Sequence, residues 1–93
     1  MYLELLRRDY KVTVGRTGDK EIDFVCDKRG EKLYVQVAYL LASDETVVRE
    51  FGAYDNIRDN FPKYVVSMDD LDMSRNGIKH RNIRDFLLME EWN

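Results

Sequence analysis

Residues 21–39, EIDFVCDKRGEKLYVQVAY, decide the fold of this chain because they read as two strands folded back on each other. The bend falls at Arg29-Gly30, where a two-residue hairpin loop is favoured by glycine at the second position. With that loop, counting back along both strands places Asp23 directly opposite Gln36. The sequence therefore predicts an antiparallel hairpin with an acidic and an amide side chain facing each other.

Side chains alternate along a strand, so the hairpin has one polar face and one apolar face. The predicted polar face carries Glu21, Asp23, Gln36 and Ala38. The predicted apolar face carries Ile22, Phe24, Cys26, Leu33, Val35, Val37 and Tyr39. An acidic residue that faces a polar residue on the next strand is one way to build a divalent metal site. This hairpin has no second carboxylate beside Gln36, and no lysine at the position of Ala38.

The bulk properties restrict the class of protein. The 93 residues predict one small domain, 1–93, and 44% apolar and 12% aromatic residues are enough for a folded core. A formal charge of −3 gives no global attraction to nucleic acid. The single cysteine, Cys26, excludes an internal disulfide and a cysteine zinc cage, and we expect it to be buried. No stretch is typical of a membrane span or a signal peptide, so we expect a cytoplasmic protein without a membrane partner.

The rest of the chain predicts alternating helices and strands. The apolar periodicity predicts a helix over 1–8, which we expect to begin upstream in a longer protein, a strand over 10–14 and a turn over 15–18. Ser43 is the expected N-cap of a second helix that continues to Ile57, although Gly52 weakens it. Beyond Pro62 we predict a strand over 64–66 that ends at Ser67, a loop over 69–72, a strand over 77–80 and a helix over 83–89. The first three strands form a meander, and the fourth joins parallel after the helical crossover.

This order, αβββαβ, resembles the restriction-endonuclease-like fold, whose motif is written PD-(D/E)xK. Asp23 matches the aspartate of that motif, whereas Gln36 and Ala38 stand where the family has a carboxylate and a lysine. Glu4 stands where members such as the archaeal Holliday-junction resolvases carry a glutamate on the first helix. The resemblance implies an α/β fold in which helices flank a mixed sheet, with a degenerate catalytic motif.

The amino-acid sequence is also similar to that of the C-terminal domain of a large family of bacterial and archaeal AAA-type ATPases. This domain has no settled activity. The similar stretches are 2–8 (YLELLRR), 18–25 (GDKEIDFV), 34–37 (YVQV), 49–52 (REFG), 60–64 (NFPKY), 67–70 (SMDD) and 77–80 (GIKH). This resemblance implies that the natural partner is the N-terminal ATPase domain of the parent chain. The sequence contains no G-x-x-x-x-G-K-[ST] motif, so we do not expect it to bind nucleotide.

In an intact site of this type, two carboxylates hold Mg²⁺ or Mn²⁺ and the lysine assists the attacking water. The candidate catalytic residues are Glu4, Asp23 and Gln36, and the candidate metal ligands are these three with Glu21. The sequence offers no replacement for the lysine, because alternation sends Lys20 to the other face. Without a metal, the amide of Gln36 is expected to donate a hydrogen bond to the carboxylate of Asp23.

Other polar residues carry weaker signals. Two clusters of basic residues are candidates for contact with DNA phosphates, and they contain Arg7, Arg8, Lys11, Lys28 and Arg29. We expect His80, the only histidine, to be a strand-end or surface residue without a metal. The aspartates in 69–72 are expected to form a solvated loop, since the glycine and glutamate of a calcium-binding loop are missing.

These observations predict a non-catalytic accessory or recognition domain of an AAA-type ATPase, with a degenerate nuclease-like site and contact with DNA. One alternative is a Mg²⁺- or Mn²⁺-dependent DNA endonuclease. A second alternative is a structural or oligomerisation module, a homodimer included, in which the tyrosines and Leu41, Phe86 and Leu88 pack against a partner domain.

Overall fold

The computed structural model describes residues 1–18 and 20–93, which form a small α/β domain with a five-stranded mixed sheet and three helices. The elements, in chain order, are α1 (Tyr2–Arg7), β1 (Lys11–Thr17), β2 (Lys20–Lys28), β3 (Glu31–Val37), α2 (Asp44–Gly52), β4 (Lys63–Ser67), β5 (Lys79–Asn82) and α3 (Ile83–Leu88). The predicted α/β class and the predicted order of helices and strands are both confirmed. No helix in the described ranges has the length and apolar character needed to cross a membrane.

The strands lie in the sheet in the order β1-β2-β3-β4-β5. The first three pair antiparallel, and β4 and β5 each join parallel to the strand before them. A parallel neighbour requires a crossover, and α2 supplies the one between β3 and β4. The predicted meander followed by a parallel strand is therefore confirmed.

The β2–β3 hairpin has the predicted loop and register. Arg29 and Gly30 have φ angles of 53° and 84°, so both central residues lie in the left-handed region that a type I′ turn requires. Lys28 pairs with Glu31, and regular pairing continues to Phe24 and Val35. A two-residue loop of this kind determines the register, which explains why the sequence predicted it correctly.

A β-bulge in β2 changes the faces beyond this pairing. On the β1 side, Thr13 pairs with Val25 but Gly15 pairs with Ile22, so that Asp23 and Phe24 together oppose Val14. The extra residue breaks the alternation of side chains. Phe24 and Cys26 pack on one side of the sheet, and Ile22 packs on the other. The prediction that these three share one face is therefore wrong for Ile22.

Gly15 explains how the bulge is accommodated. A Cβ atom at this position would collide with the side chain of Val25, so only glycine permits the close approach of β1 to β2. The strand continues past it, since Arg16 pairs with Glu21. The predicted turn over 15–18 is therefore wrong at its start, because Gly15 serves a strand contact rather than a reversal.

The sheet separates two cores. The side covered by α2 contains Ile22, Tyr34, Leu41, Val47, Phe51, Ala53, Tyr54, Val65 and Ile78. The side covered by α1 and α3 contains Leu5, Cys26, Leu33, Val35, Tyr64, Val66, Phe86 and Trp92. Cys26 is buried, as expected, and burial raises the pKa of its thiol to about 12.

Helix and strand boundaries differ from prediction where glycine or a turn intervenes. Ser43 caps α2 as predicted, since its Oγ accepts a hydrogen bond from the Thr46 N–H at 3.2 Å. The helix ends at Gly52, so the predicted extension to Ile57 is wrong. β5 begins later than predicted, because Asn76 and Gly77 have positive φ angles and form a turn before it.

Candidate functional site

The structure brings Asp23 and Gln36 together at the point where regular pairing of β2 and β3 ends. The backbone N–H of Asp23 donates to Gln36 Oε1 at 2.6 Å, and the backbone N–H of Val37 donates to Asp23 Oδ2 at 2.9 Å. The predicted contact is present, but its chemistry differs, because the Gln36 amide does not donate to the Asp23 carboxylate. Each side chain instead satisfies a backbone N–H that the bulge removes from the ladder.

Glu50 is the acidic residue that the sequence analysis missed. It projects from α2 toward the sheet, and the Nε2 of Gln36 lies 3.3 Å from its Oε2. Its side chain is only 14% exposed, and its one ion pair is a 3.7 Å contact with Arg49. Burial raises the pKa of Glu50, and the negative charge of Asp23 raises it further. The signal that could have found it is its position between Val47 and Phe51 on the inward stripe of the helix.

These residues line a cavity of about 420 Å³ between α2 and the bulged end of β2, which we call the Asp23 cavity. Its lining residues are Lys20, Glu21, Asp23, Gln36, Val48, Arg49, Glu50 and Ala53. Two carboxylates of like charge therefore stand near one buried amide. Such an arrangement is typical of sites that accept a cation, because the negative charge of Asp23 disfavours ionisation of Glu50.

The lysine of this cavity is already bound elsewhere. The Nζ of Lys20 donates to the backbone oxygen of Gly52, the last residue of α2, at 2.9 Å, and lies 3.5 Å from Asp55 Oδ2. The prediction that Lys20 lies on the other face is wrong, because the bulge restores it to the α2 side. Its ammonium group therefore binds the C-terminal end of α2. At the motif position where the family has a lysine, this chain has the uncharged Ala38.

Of the two other predicted metal ligands, Glu21 lies at the Asp23 cavity and Glu4 does not. Glu21 lines the Asp23 cavity, but it is exposed and pairs with Arg16 at 3.3 Å. Glu4 lies on α1 and bonds Arg7 and Arg8, each at 2.7 Å, and these cations lower its pKa to about 2. Glu4 is absent from the cavity lining, so the structure does not bring it together with Asp23.

The donor set fits a metal only in part. In residues 1–18 and 20–93, no group of three or more His, Cys, Asp or Glu side chains is placed to hold a metal ion. Asp23 and Glu50 offer two hard carboxylates, and Mg²⁺ is often bound by one or two carboxylates with water. The carbonyl oxygen of Gln36 is already used by the Asp23 N–H.

The predicted DNA-contacting residues lie near the tip of the β2–β3 hairpin and beside α1. Arg8, Lys28 and Arg29 line a second cavity of about 420 Å³, together with Tyr10, Trp92 and the acidic residues Glu31, Glu90 and Glu91. The guanidinium of Arg8 stacks 3.8 Å from the Trp92 ring centroid, and the Lys28 ammonium lies 5.3 Å from that of Tyr10. Arg7 is paired with Glu4 on α1, and Lys11 is exposed at the start of β1. Acidic neighbours therefore offset much of this positive charge.

A second polar cluster, the Ser67 network, contains Ser67, Asp69 and His80. His80 is 1% exposed, so the expectation of a surface histidine is wrong. The Oγ of Ser67 lies 2.8 Å from His80 Nε2 and 2.6 Å from Asp69 Oδ2. The backbone N–H of Met73 donates to His80 Nδ1 at 3.1 Å.

This cluster has the residue types of a catalytic triad but the wrong hydrogen-bond directions. Because Nδ1 of His80 accepts from Met73, Nε2 carries the proton and donates to Ser67. The Ser67 hydroxyl then donates to Asp69, so His80 does not accept its proton, as the histidine of a catalytic triad does. Ser67 is also 1% exposed. Burial lowers the pKa of His80, in spite of the nearby Asp69 and Asp72 charges, and keeps it neutral as the network needs.

Asp69 departs from the predicted solvated loop. Its Oδ2 also accepts from the backbone N–H of Leu41 at 2.7 Å, so it joins the chain after β3 to the chain after β4. These hydrogen bonds lower the pKa of Asp69. Asp70 and Asp72 are exposed, as expected for that loop.

No known family model matches this chain. No solved structure matches it either. A stretch of 67 residues is 40% identical to an uncharacterized protein of Haemophilus influenzae, and that match covers 72% of this chain. The chain corresponds to only 16% of the length of that relative.

Proposed function

We propose that this domain is a non-catalytic accessory or recognition module of a longer protein, with a nuclease-like fold and a degenerate site. One observation carries the proposal: the polar groups of the Asp23 cavity are engaged within the protein. Asp23 Oδ2 accepts a hydrogen bond from the Val37 N–H, and Gln36 Oε1 accepts one from the Asp23 N–H. The Lys20 ammonium donates to the backbone oxygen of Gly52. A nuclease site needs such groups free to bind a metal and orient a water.

The order and directions of the strands support a restriction-endonuclease-like fold. An antiparallel meander followed by a helical crossover and a parallel strand is the arrangement that the resemblance implies. Asp23 lies at the end of the β2–β3 pairing, and Gln36 and Ala38 replace the carboxylate and the lysine of the motif. The short match to a much longer relative supports a role within a larger polypeptide, for which we propose the AAA-type ATPase architecture.

DNA is the proposed contact of the hairpin tip. Lys28 and Arg29 lie there beside Tyr10, and phosphates are contacted by cations of this kind. Glu31, Glu90 and Glu91 line the same cavity and weaken its positive field. We therefore expect weak, salt-sensitive binding rather than sequence recognition.

A metal-dependent nuclease is the second candidate, because Glu50 supplies a second carboxylate beside Asp23. In this candidate Asp23 and Glu50 hold Mg²⁺ or Mn²⁺, which when bound would activate water and stabilise negative charge on a phosphodiester. Gln36 would position Asp23 through its backbone N–H, as it does in the structure. No described residue replaces the lysine of the motif with a free ammonium in this cavity.

Incubation with duplex, single-stranded and branched DNA in Mn²⁺ separates the two candidates. We expect no cleavage and a gel shift that weakens with salt, is reduced by Lys28→Ala with Arg29→Ala, and is unchanged in Asp23→Ala. Cleavage that is lost in both Asp23→Ala and Glu50→Gln would establish the nuclease instead. Glu45→Gln, which removes an exposed carboxylate from the same helix, is the control. The absence of both shift and cleavage would favour the structural module.

A further inference from the structure

Two loops at the carboxyl ends of β3 and β4 carry four exposed apolar side chains, which we call the carboxyl-edge patch. It consists of Tyr39, Leu40, Met68 and Leu71, which are 76%, 43%, 50% and 79% exposed. The described ranges contain ten large apolar residues with such exposure, and four of them fall on these two loops. An exposed cluster of large apolar side chains is typical of an interaction site.

The two loops are held against each other. The backbone N–H of Met68 donates to the Tyr39 oxygen at 2.9 Å, which extends the pairing of the two strands. Asp69 Oδ2 accepts from the Leu41 N–H at 2.7 Å and from Ser67 Oγ at 2.6 Å. The side-chain amide of Asn82 donates to the Met68 oxygen at 3.2 Å. The patch is therefore fixed in place before any partner arrives, which lowers the entropy cost of binding.

The two chain segments that carry the patch are acidic. Residues 39–46, which include the first turn of α2, and residues 68–74 contain five carboxylates and no lysine or arginine. The five are Asp44, Glu45, Asp69, Asp70 and Asp72. Asp69 is used within the network, and Asp72 lies 3.7 Å from Arg81, but Asp44, Glu45 and Asp70 are exposed without a cation in these segments. These carboxylates, which we call the acidic rim, repel phosphates of nucleic acids and anionic lipids and attract cations.

We propose that the carboxyl-edge patch docks a protein segment that is amphipathic and basic, with apolar side chains on the patch and lysines or arginines over the acidic rim. Protein interfaces usually have apolar side chains at the centre and charged side chains at the rim. None of the patch residues lines the Asp23 cavity. The proposal therefore goes beyond the proposed function and holds whether or not the domain contacts DNA.

A labelled amphipathic peptide of leucine and lysine, about 14 residues long at helical spacing, is the probe. Its binding to the full chain is measured by fluorescence anisotropy, beside a leucine–glutamate peptide of the same pattern and a scrambled leucine–lysine peptide. We expect the leucine–lysine peptide to bind best and to weaken as salt screens the rim. The double variant Tyr39→Ser with Leu71→Ser should weaken it about tenfold or more.

Val14→Ser with Leu88→Ser is the matched control, because these side chains are 69% and 74% exposed at other places on the surface. This control should leave peptide binding unchanged. The proposal is overturned by the absence of binding, by equal binding to the two double variants, or by equal binding of the glutamate or scrambled peptide. Binding of single-stranded DNA or anionic vesicles that is lost in the patch variant would also overturn it.

Discussion

The Asp23 cavity and the Ser67 network are two polar clusters on one sheet, and they are stabilised in opposite ways. In the Ser67 network, the serine, the histidine ring and Asp69 Oδ2 each have a hydrogen-bond partner. In the Asp23 cavity, by contrast, Glu50 is largely buried beside a second carboxylate, and its ion pair with Arg49 is 3.7 Å long. A fully satisfied buried cluster fixes a structure, whereas a pair of like charges costs stability and is retained where a site needs it. We therefore expect the Ser67 network to stabilise the fold, and the Glu50–Asp23 pair to cost stability.

The largest expected effect comes from His80→Ala. The substitution removes a fully buried ring, leaves the Met73 N–H without its acceptor and removes the His80 hydrogen bond of Ser67. We therefore expect a loss of about 3 kcal/mol in the free energy of unfolding. Urea denaturation measures it. Asp70→Ala, on the exposed part of the same loop, should change the free energy of unfolding by less than about 0.5 kcal/mol. A small effect of His80→Ala would show that the network does not hold the fold.

Gly15→Ala tests the bulge that builds the Asp23 cavity. The added Cβ collides with Val25, and we expect a loss of about 2 kcal/mol. Gly52→Ala is the matched control, since its Cβ would meet neighbouring atoms no closer than 3.6 Å and alanine favours the helix. If the two variants have equal stability in thermal unfolding, the close approach of β1 to β2 is not a constraint.

The sequence predicted the features that local chemistry determines. Arg29-Gly30 set the hairpin register, and Ser43 set the start of α2, because turns and caps depend on neighbouring residues. The bulge at Asp23 was missed, since it depends on how β1 packs against β2, and only Gly15 within a strand hinted at it. The extra residue of the bulge places Ile22 and Lys20 on the α2 side of the sheet, opposite to the predicted side.

Burial and polar partnership were harder to predict for a similar reason. Glu50 reaches Gln36 only because the crossover lays α2 over the bulged end of the hairpin. His80 is buried because Ser67, on the neighbouring parallel strand, offers it a hydroxyl. Contacts between residues that are 13 or 14 positions apart depend on strand order, which no local pattern encodes.

The pH dependence of stability distinguishes the two clusters further. Burial lowers the pKa of His80 in the folded state below its ordinary value of 6.5. Below pH 6.5 the unfolded chain therefore binds a proton that the folded chain excludes, and stability falls as the pH falls, by at most about 1.4 kcal/mol per pH unit. Above that pH this contribution is constant. Subtracting the curve of His80→Asn from that of the wild type isolates the effect, and parallel curves between pH 5 and 7 would contradict it.

The smallest expected effect, Glu50→Gln, is also the most informative about function. The pKa of Glu50 is raised above 4.5, so the folded state loses stability as the pH rises through that value, and the neutral variant does not. We expect Glu50→Gln to be more stable than the wild type by about 0.5 kcal/mol at pH 7 and equal to it at pH 4.

If Asp23 and Glu50 accept a cation, Mg²⁺ or Mn²⁺ should raise the Tm of the wild type and not that of the variant, because a ligand bound only to the folded state stabilises it. Glu45→Gln, which should respond to the metal as the wild type does, is the control. If the metal raises the Tm of Glu50→Gln as much as that of the wild type, Glu50 is not a ligand of a cation site. Its repulsion from Asp23 would then serve neither folding nor metal binding.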